Sequence, residues 1–214
     1  MRQSHLISIG IISYVSALSN DMHTMEISAG LSKRQANSSQ CFQLQNSVAC
    51  PAHNGAYISQ TSFFSDIQSF DKFMIGSLDN QTDSINTFQS YYDCKTFNGT
   101  GTRYHLTVLC SQFYDASKSV CSAPTKPILP LCKDTCYQAQ LSIQQVFQNS
   151  RICSASPSTN ILTLRKTTLD DIFKYCDQQS ARNNTFVSGS CLDGREQSFY
   201  SKTCGKLHVS HLNM

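Results

Sequence analysis

The sequence has little charge and no block of charge of either sign. Its 214 residues hold 17 Lys and Arg against 14 Asp and Glu, which leaves a formal net charge of +3. Nucleic acids and acidic membranes are bound through clusters or stripes of basic side chains. The composition therefore gives no support to nucleic acid or an acidic membrane as a dedicated partner. Asn, Gln, Ser and Thr supply the polar surface instead, which suits a glycosylated extracellular protein.

Long hydrophobic runs are also missing. The apolar run Leu6–Ile12 follows Arg2 and precedes Val15-Ser-Ala17, a small-x-small cleavage signature. A transmembrane helix needs roughly 20 apolar residues, so we interpret residues 1–17 as a secretory signal peptide that ends at Ala17. The tail 206–214 lacks the hydrophobic end of a lipid-anchor signal. We expect a secreted or extracellular protein, either free or associated with the cell surface, with no transmembrane segment of its own beyond the signal peptide.

Motifs of catalysis are absent from the sequence as well. It contains no Gly-x-Ser-x-Gly elbow, no His-Glu-x-x-His helix and no phosphate-binding glycine loop. Asp170 and Asp171 are adjacent, so on a helix they point about 100° apart and do not face each other; we interpret them as charges in a first helical turn. We expect no enzyme, no catalytic residue and no cofactor. A pair of carboxylates from distant segments stays the open alternative.

Cysteine, by contrast, is abundant. Eleven cysteines behind a signal peptide predict disulfides formed in an oxidising compartment. Cys132-x-x-x-Cys136 could begin a zinc site, but a second pair of ligands at matching spacing is lacking, and His208 and His211 are interpreted as solvated tail residues. We therefore expect no metal site. The odd count leaves one cysteine free, paired with another chain, or paired beyond the end of this sequence. The cysteines are Cys41, Cys50, Cys94, Cys110, Cys121, Cys132, Cys136, Cys153, Cys176, Cys191 and Cys204.

Two kinds of processing site accompany the cysteines. Lys33-Arg34 is a dibasic pair at which a secretory protease could remove a pro-segment over 18–34, although an ordinary surface pair is the alternative. Four Asn-x-Ser/Thr sequons predict glycosylation of a secreted chain. Their acceptors are Asn37, Asn80, Asn98 and Asn183.

The clearest helical pattern lies in the stretch Cys110–Cys153, around which the chain is organised. From Cys132 onward, apolar residues recur at steps of three and four, as on one face of a helix. They are Cys132, Cys136, Ala139, Ile143, Val146 and Phe147. Because Cys132 and Cys136 are four residues apart, both point into one core, and we predict that they anchor two different covalent links.

Shorter patterns predict the remaining elements. The N-terminal ones are a strand between Cys41 and Cys50, a helix capped by Ser65 and Gln68 that buries Ile67, Phe70, Phe73 and Met74, a helix over 83–94, and a helix from about Thr102. The C-terminal ones are a strand over Ile161–Arg165 and a helix opened by Thr168 and Asp171 that buries Leu169, Ile172, Phe173 and Cys176. We predict a mostly α, disulfide-rich compact bundle with short strands over 35–176, followed by a loop-rich extension over 177–214.

Several of these residues form a pattern that is similar to a known family. Leu109-Cys110-Ser111 is followed by an aromatic residue at Phe113 or Tyr114, then by Val120-Cys121 and by Pro130-Leu131-Cys132-x-x-x-Cys136. Cys41, Cys50 and Cys94 precede this motif in the matching order, and Cys153 and Cys176 follow it. The stretch from Cys41 to about Cys176 resembles the cysteine-rich domain of Frizzled receptors, in an extracellular, fungal-like version.

The resemblance implies a disulfide pattern. It pairs Cys41 with Cys121, Cys50 with Cys110, Cys132 with Cys176, and Cys136 with Cys153. The family has a further cysteine near Ile143 that would take Cys94, and this chain lacks it. Cys94 is then left with Cys191, Cys204 or no partner, and we favour the C-terminal extension because long loops close at modest entropic cost.

The resemblance also implies a function. The family's domain binds a lipid-modified signalling protein or caps a membrane protein, so we expect a non-catalytic recognition module for a protein or lipid ligand. One alternative is an accessory extracellular subunit of a membrane complex such as a stretch-activated calcium channel. Another is a small-lipid or sterol carrier, which predicts an apolar cavity around Phe70, Phe88 and Phe113.

Overall fold

A computed structural model describes residues 40–77, 82–182 and 191–194 of the chain. In these ranges the protein is mostly helical, as predicted. The elements are strands β1 (Cys41–Gln43) and β2 (Tyr57–Ser59), a 3-10 turn (Pro51–His53), and helices α1 (Ile67–Gly76), α2 (Thr82–Tyr91), α3 (His105–Ser117), α4 (Lys133–Gln148) and α5 (Thr159–Arg182). The signal peptide, the pro-segment, Ala17, Lys33, Arg34, Asn37, Asn80, Asn183, Cys204, His208 and His211 lie outside the described residues.

The N-terminal part forms a core of aromatic rings. β1 and β2 pair antiparallel with Phe42 opposite Ile58, which confirms a short strand after Cys41. Phe70 of α1 and Phe113 of α3 meet edge to face, with 6.1 Å between ring centroids, and Phe64 contacts both. We call this group the N-terminal core. Its main members are Leu44, Ile58, Phe64, Phe70, Met74, Leu109 and Phe113.

The C-terminal part forms a second core between α2, α4 and α5. Phe88 of α2 stacks on Phe97, with 4.1 Å between ring centroids, and Phe147 at the end of α4 contacts Tyr92. We call this group the C-terminal core. Its main members are Phe88, Tyr92, Phe97, Val108, Leu131, Ile143, Val146, Phe147 and Ile172. The helical stripe predicted for α4 is confirmed from Cys136 to Phe147, since its apolar residues are buried here, whereas Cys132 is the N-cap of the helix.

Helix α3 separates the two cores and is buried around its circumference. Leu109 belongs to the N-terminal core and the adjacent Val108 to the C-terminal core. Its polar residues Thr107, Ser111 and Gln112 are buried too. A helix buried on all sides lies at the centre of a fold. The central element is therefore α3, at the start of the stretch Cys110–Cys153, rather than α4.

The N-cap of helix α1 lies one residue later than predicted. Its N-cap is Asp66, whose Oδ1 accepts a hydrogen bond of 2.8 Å from Ser69 N, while Asp66 N donates to Ser69 Oγ at 3.2 Å. The capping box is thus Asp66 with Ser69, and the prediction of Ser65 with Gln68 was wrong. A carboxylate is favoured at this position because its charge complements the positive end of the helix dipole.

Helix α5 overturns three predictions. Residues 161–165 are helical, not a strand, and Thr168 lies inside the helix, not at its start. Thr168 is buried and its Oγ1 is 3.0 Å from the hydroxyl of Tyr92, so it bonds across the core and does not cap. Phe173, predicted to be buried, is 49% exposed. A short apolar run is ambiguous between strand and helix, and here tertiary packing decides.

Candidate binding surface

Two disulfides secure the N-terminal core. Cys41 of β1 is bonded to Cys121, just beyond α3, and Cys50 is bonded to Cys110 within α3. Both pairs agree with the pairing that the resemblance implies. They tie β1 to the chain just beyond the C-terminus of the central helix, and the residue before the 3-10 turn to the middle of that helix.

The other three disulfides differ from the implied pattern. Cys132 is bonded to Cys191, Cys136 to Cys176, and Cys94 to Cys153. The predicted pairs Cys132–Cys176 and Cys136–Cys153, and the predicted link of Cys94 to the C-terminal extension, were therefore wrong. The prediction that Cys132 and Cys136 anchor two different links is confirmed, but Cys132 caps the helix and does not join the core in which Cys136 is buried.

The geometry of the helix pair explains the exchange of partners. Cys136 lies one turn inside α4 and faces α5, where Cys176 meets it, whereas Cys132 precedes the helix and reaches Cys191 instead. After α4 the chain returns beside residue 93, where Ser154 N donates to Asp93 O at 2.9 Å. That return brings Cys153 to Cys94. Ile143, at the place of the missing family cysteine, is packed in the C-terminal core.

The five disulfides bear on metal chemistry. Cys132 and Cys136, which a zinc site would need as thiolates, are each bonded to another sulfur. Among the residues that the structure describes, no three His, Cys, Asp or Glu side chains converge as metal ligands would. Asp170 and Asp171 lie in the middle of α5, not in a first turn, and pair with Lys166 and Lys174. Their predicted role as first-turn charges was wrong.

A buried imidazole in the N-terminal core has no counterpart in the sequence predictions. His53 is 1% exposed, its Nε2 is 3.4 Å from Ser111 Oγ, and its Nδ1 has no hydrogen-bond partner. Burial lowers the pKa of His53 from 6.5 to about 4, against a rise from Asp115 and with a further lowering from Lys118. The imidazole is therefore neutral at neutral pH. Its place two residues after Pro51 gives no signal from which this burial could be predicted.

A buried guanidinium holds the C-terminal core. Arg165 of α5 donates from Nε to Tyr92 O at 2.9 Å and from Nη1 to Ser154 O at 3.2 Å, and its Nη2 also donates to Asp93 O. Its guanidinium carbon is 5.6 Å from the centroid of the Phe147 ring. Because every contact is to a backbone carbonyl or a ring of this chain, the side chain is structural.

One pocket in the described part of the interior is too small for a lipid ligand. A pocket between α3, α4 and α5, lined by Val108, Ala139 and Ile172 among others, encloses about 10 Å³, room for about one water molecule. The three phenylalanines named for a lipid cavity do not share one space. Phe70 and Phe113 touch in the N-terminal core, and Phe88 lies in the C-terminal core.

The outer surface of α4 and α5 carries apolar side chains that project into solvent. Tyr137 and Leu141 are four residues apart on α4, and Tyr137 contacts Phe173 of α5, with 5.8 Å between ring centroids. Leu141 is 43% exposed and Phe173 is 49% exposed. We call Tyr137, Leu141 and Phe173 the seam patch. Cys136–Cys176, beside it, fixes the two helices to each other.

The predicted glycosylation site that lies within the described residues is accessible. Asn98 is exposed, and its Oδ1 accepts hydrogen bonds from Thr100 N at 3.2 Å and Thr100 Oγ1 at 2.7 Å. The adjacent Gly99 has φ of 84°. The sequon thus forms a tight surface turn, and glycosylation of Asn98 stays a prediction.

Comparisons of the chain with models of protein families, with curated proteins and with solved structures find no match. Five disulfides are typical of proteins that fold in an oxidising, extracellular type of compartment. Within the described ranges, no helix combines the length and the hydrophobicity that crossing a membrane requires.

Proposed function

We propose that the chain is a non-catalytic recognition module, secreted or held at the cell surface, that binds a protein ligand through the seam patch. The observation that carries this proposal is the exposure of Leu141 and Phe173, with the half-buried Tyr137 against Phe173, on two helices that a disulfide joins. Aromatic side chains dominate the binding energy of protein interfaces. Presenting them on a fixed scaffold lowers the entropic cost of association.

The shape and the surroundings of the seam patch favour a protein over a lipid. Its side chains project outward, whereas small-molecule and lipid sites are concave and enclose most of the ligand. The ion pairs Lys166–Asp170 and Lys174–Asp171 lie on the same helix as Phe173. An apolar centre with a charged, solvated rim is the usual anatomy of a protein interface.

The resemblance to the Frizzled cysteine-rich domain supports a recognition role for the protein, and the disulfides match the family pattern in the N-terminal part only. Cys41–Cys121 and Cys50–Cys110 follow the family pattern, while the three disulfides around α4 and α5 do not. We therefore propose a Frizzled-like arrangement of residues 41–121 combined with a differently stapled C-terminal part. The seam patch belongs to that divergent part, so its ligand need not be the ligand of the family.

The proposal is tested by binding of the purified full-length chain, labelled with a fluorophore, to intact cells of the organism that produces it. We expect saturable binding that disappears after trypsin treatment of the cells. Phe173→Ser should lower the affinity at least tenfold, since truncation of a central aromatic anchor costs about 2 kcal/mol or more. Leu141→Ser should lower the affinity less.

Val48→Ser is the matched control, because Val48 is equally exposed but lies in the N-terminal part. It should leave binding unchanged. Circular dichroism should show nearly the same unfolding midpoint for all three variants as for the original chain, since surface substitutions change stability little. Binding that resists trypsin, binding of phosphatidylcholine–sterol vesicles, or equal affinity of the Phe173→Ser variant would each overturn the proposal. A ligand that co-purifies as an integral membrane protein would identify the accessory-subunit form of it.

A further inference from the structure

Two of the five disulfides are accessible from the surface. Cys191 is half-buried and its partner Cys132 is 9% exposed, and Cys41 and Cys121 are both half-buried. The cysteines of the remaining three pairs are buried at 2% exposure or less. A thiol in solution can therefore reach Cys132–Cys191 and Cys41–Cys121 without unfolding the cores.

The two accessible disulfides lie at opposite ends of helices. Cys132 is the N-cap of α4, and its side chain makes no capping hydrogen bond while it is bonded to Cys191. Cys121 follows the C-terminus of α3, and its N–H donates to Ser117 O at 2.8 Å. The N-terminus of a helix stabilises a thiolate and lowers its pKa, whereas the C-terminus destabilises negative charge.

The charged neighbours of Cys132 leave this effect in place. Lys133 and Asp134 follow it in the first turn and carry opposite charges. The Lys133 ammonium lies 5.4 Å from the centroid of the Tyr137 ring. The helix terminus is thus one difference between Cys132 and Cys121.

The segment 191–194 behind Cys191 docks as a short strap. Leu192 N donates to Pro130 O at 2.7 Å, Cys132 N donates to Leu192 O at 3.0 Å, and Gly194 N donates to Thr135 Oγ1 at 3.0 Å. The fit at Gly194 is tight, since a Cβ there would lie 2.3 Å from Cδ1 of Tyr104. The strap covers Leu131 and pairs with the backbone edge in front of α4.

We propose that Cys132–Cys191 is a thiol-exchange site whose opening frees the strap from the N-terminus of α4. The thiolate of a monothiol such as glutathione attacks Sγ of Cys191 and forms a mixed disulfide there. The bond between the two cysteine sulfurs breaks, and its electron pair leaves with Sγ of Cys132 as a thiolate. A thiol with a lower pKa is the better leaving group, and the N–H groups of the first turn of α4 favour the charge on Cys132. A second thiol then releases Cys191 as a thiol and forms the oxidised thiol dimer.

The test is limited reduction of the full-length chain carrying Cys204→Ser, which removes the eleventh cysteine that the five described disulfides do not use. The protein is incubated with reduced glutathione at pH 7.5, quenched with N-ethylmaleimide at increasing times, and mapped by peptide mass spectrometry. We expect glutathione on Cys191 and N-ethylmaleimide on Cys132 before any other cysteine reacts. We expect the rate to exceed that of Cys41–Cys121 about tenfold, because neither sulfur of that pair lies at a helix N-terminus.

Gly194→Ala sharpens the experiment. Its Cβ would collide with Tyr104 and displace the strap, so exchange at Cys132–Cys191 should accelerate several-fold while Cys41–Cys121 is unaffected. Gly76→Ala is the matched control, because nothing lies within 4 Å of a Cβ at that position; it should leave both rates unchanged. Earlier reaction of Cys41–Cys121, glutathione on Cys132 in place of Cys191, or simultaneous opening of all five disulfides would overturn the proposal.

Discussion

The N-terminal and C-terminal cores each hold one buried charged side chain beside a disulfide, but the charges are opposite. In the N-terminal core Asp71 accepts hydrogen bonds from Ser47 Oγ, Val48 N at 2.8 Å and Ala49 N, directly before Cys50. In the C-terminal core Arg165 donates to the carbonyls on either side of the Cys94–Cys153 pair.

The two cores differ in the kind of backbone group that lacks a backbone hydrogen-bond partner beside the disulfide. The loop before Cys50 turns its N–H groups inward, so a carboxylate satisfies them. The segments at Cys94 and Cys153 follow helix ends and turn carbonyls inward, so a guanidinium satisfies those. An unpartnered buried N–H or C=O costs about 1–3 kcal/mol. Each ion is thus required by the chain direction at its disulfide, and substitutions of the two ions should act on different disulfides.

The largest effect is expected for Arg165→Met, which keeps the apolar stem but removes the guanidinium. The carbonyls of Tyr92, Asp93 and Ser154 lose their donor, so we expect the free energy of unfolding to fall by about 3 kcal/mol. Guanidinium chloride unfolding followed by circular dichroism measures the loss. Cys94–Cys153 should become reducible by dithiothreitol under native conditions, while Cys50–Cys110 stays protected.

Arg165→Lys is the informative companion to that variant. A lysine retains the charge but supplies a single ammonium in place of the planar fork. It should recover part of the stability but leave one carbonyl unpaired. If the methionine variant is as stable as the original protein, Arg165 does not hold the C-terminal core.

These two ions also show how far sequence reasoning reaches. The apolar stripes of α1, α2 and α4 were predictable because helical periodicity is local. Arg165 was placed in a strand, since nothing nearby in sequence signals that a charged residue bonds to carbonyls more than 70 residues away. The predicted disulfide partners of Cys94, Cys132 and Cys136 were wrong for the same reason. The seam patch was missed because Phe173 fits an inward stripe, and only the position of α4 decides which side is exposed.

A smaller effect is expected for Asp71→Asn, which preserves shape while removing the charge. An amide can still accept from one side, but its NH₂ group cannot accept from the other, so at least one of the three donors loses its partner. We expect the free energy of unfolding to fall by about 2 kcal/mol, the size of one charge-assisted hydrogen bond.

The disulfide that becomes sensitive to reduction should differ from the one that Arg165→Met affects. Cys50–Cys110 should become reducible in the Asp71→Asn variant, and Cys94–Cys153 should stay protected. Asp66→Asn is the control, because Asp66 is exposed at the cap of α1. If both disulfides are reduced at the same rate in this variant, the two cores unfold together, and Asp71 does not stabilise the N-terminal core separately.

The smallest effect concerns His53, which makes the N-terminal core sensitive to acid. Burial lowers the pKa of His53 from its ordinary value of 6.5 to about 4 in the folded protein. The unfolded chain therefore binds the proton more tightly, so the stability that a neutral His53 contributes is complete above pH 6.5 and is lost as the pH falls toward 4. Linkage gives a loss of about 1 kcal/mol of unfolding free energy between pH 7.5 and pH 5.5.

The variant His53→Gln should remove that loss. The control variant His105→Gln, at the half-buried first residue of α3, should retain it. Hydrogen exchange at pH 5.5 should then increase in α1 before α2, because His53 contacts Tyr114 and Ser111 on the side of α3 that faces the N-terminal core. If α2 exchanges first, the acid-sensitive group lies in the C-terminal core, and the asymmetry between the two cores is the reverse of the one that His53 predicts.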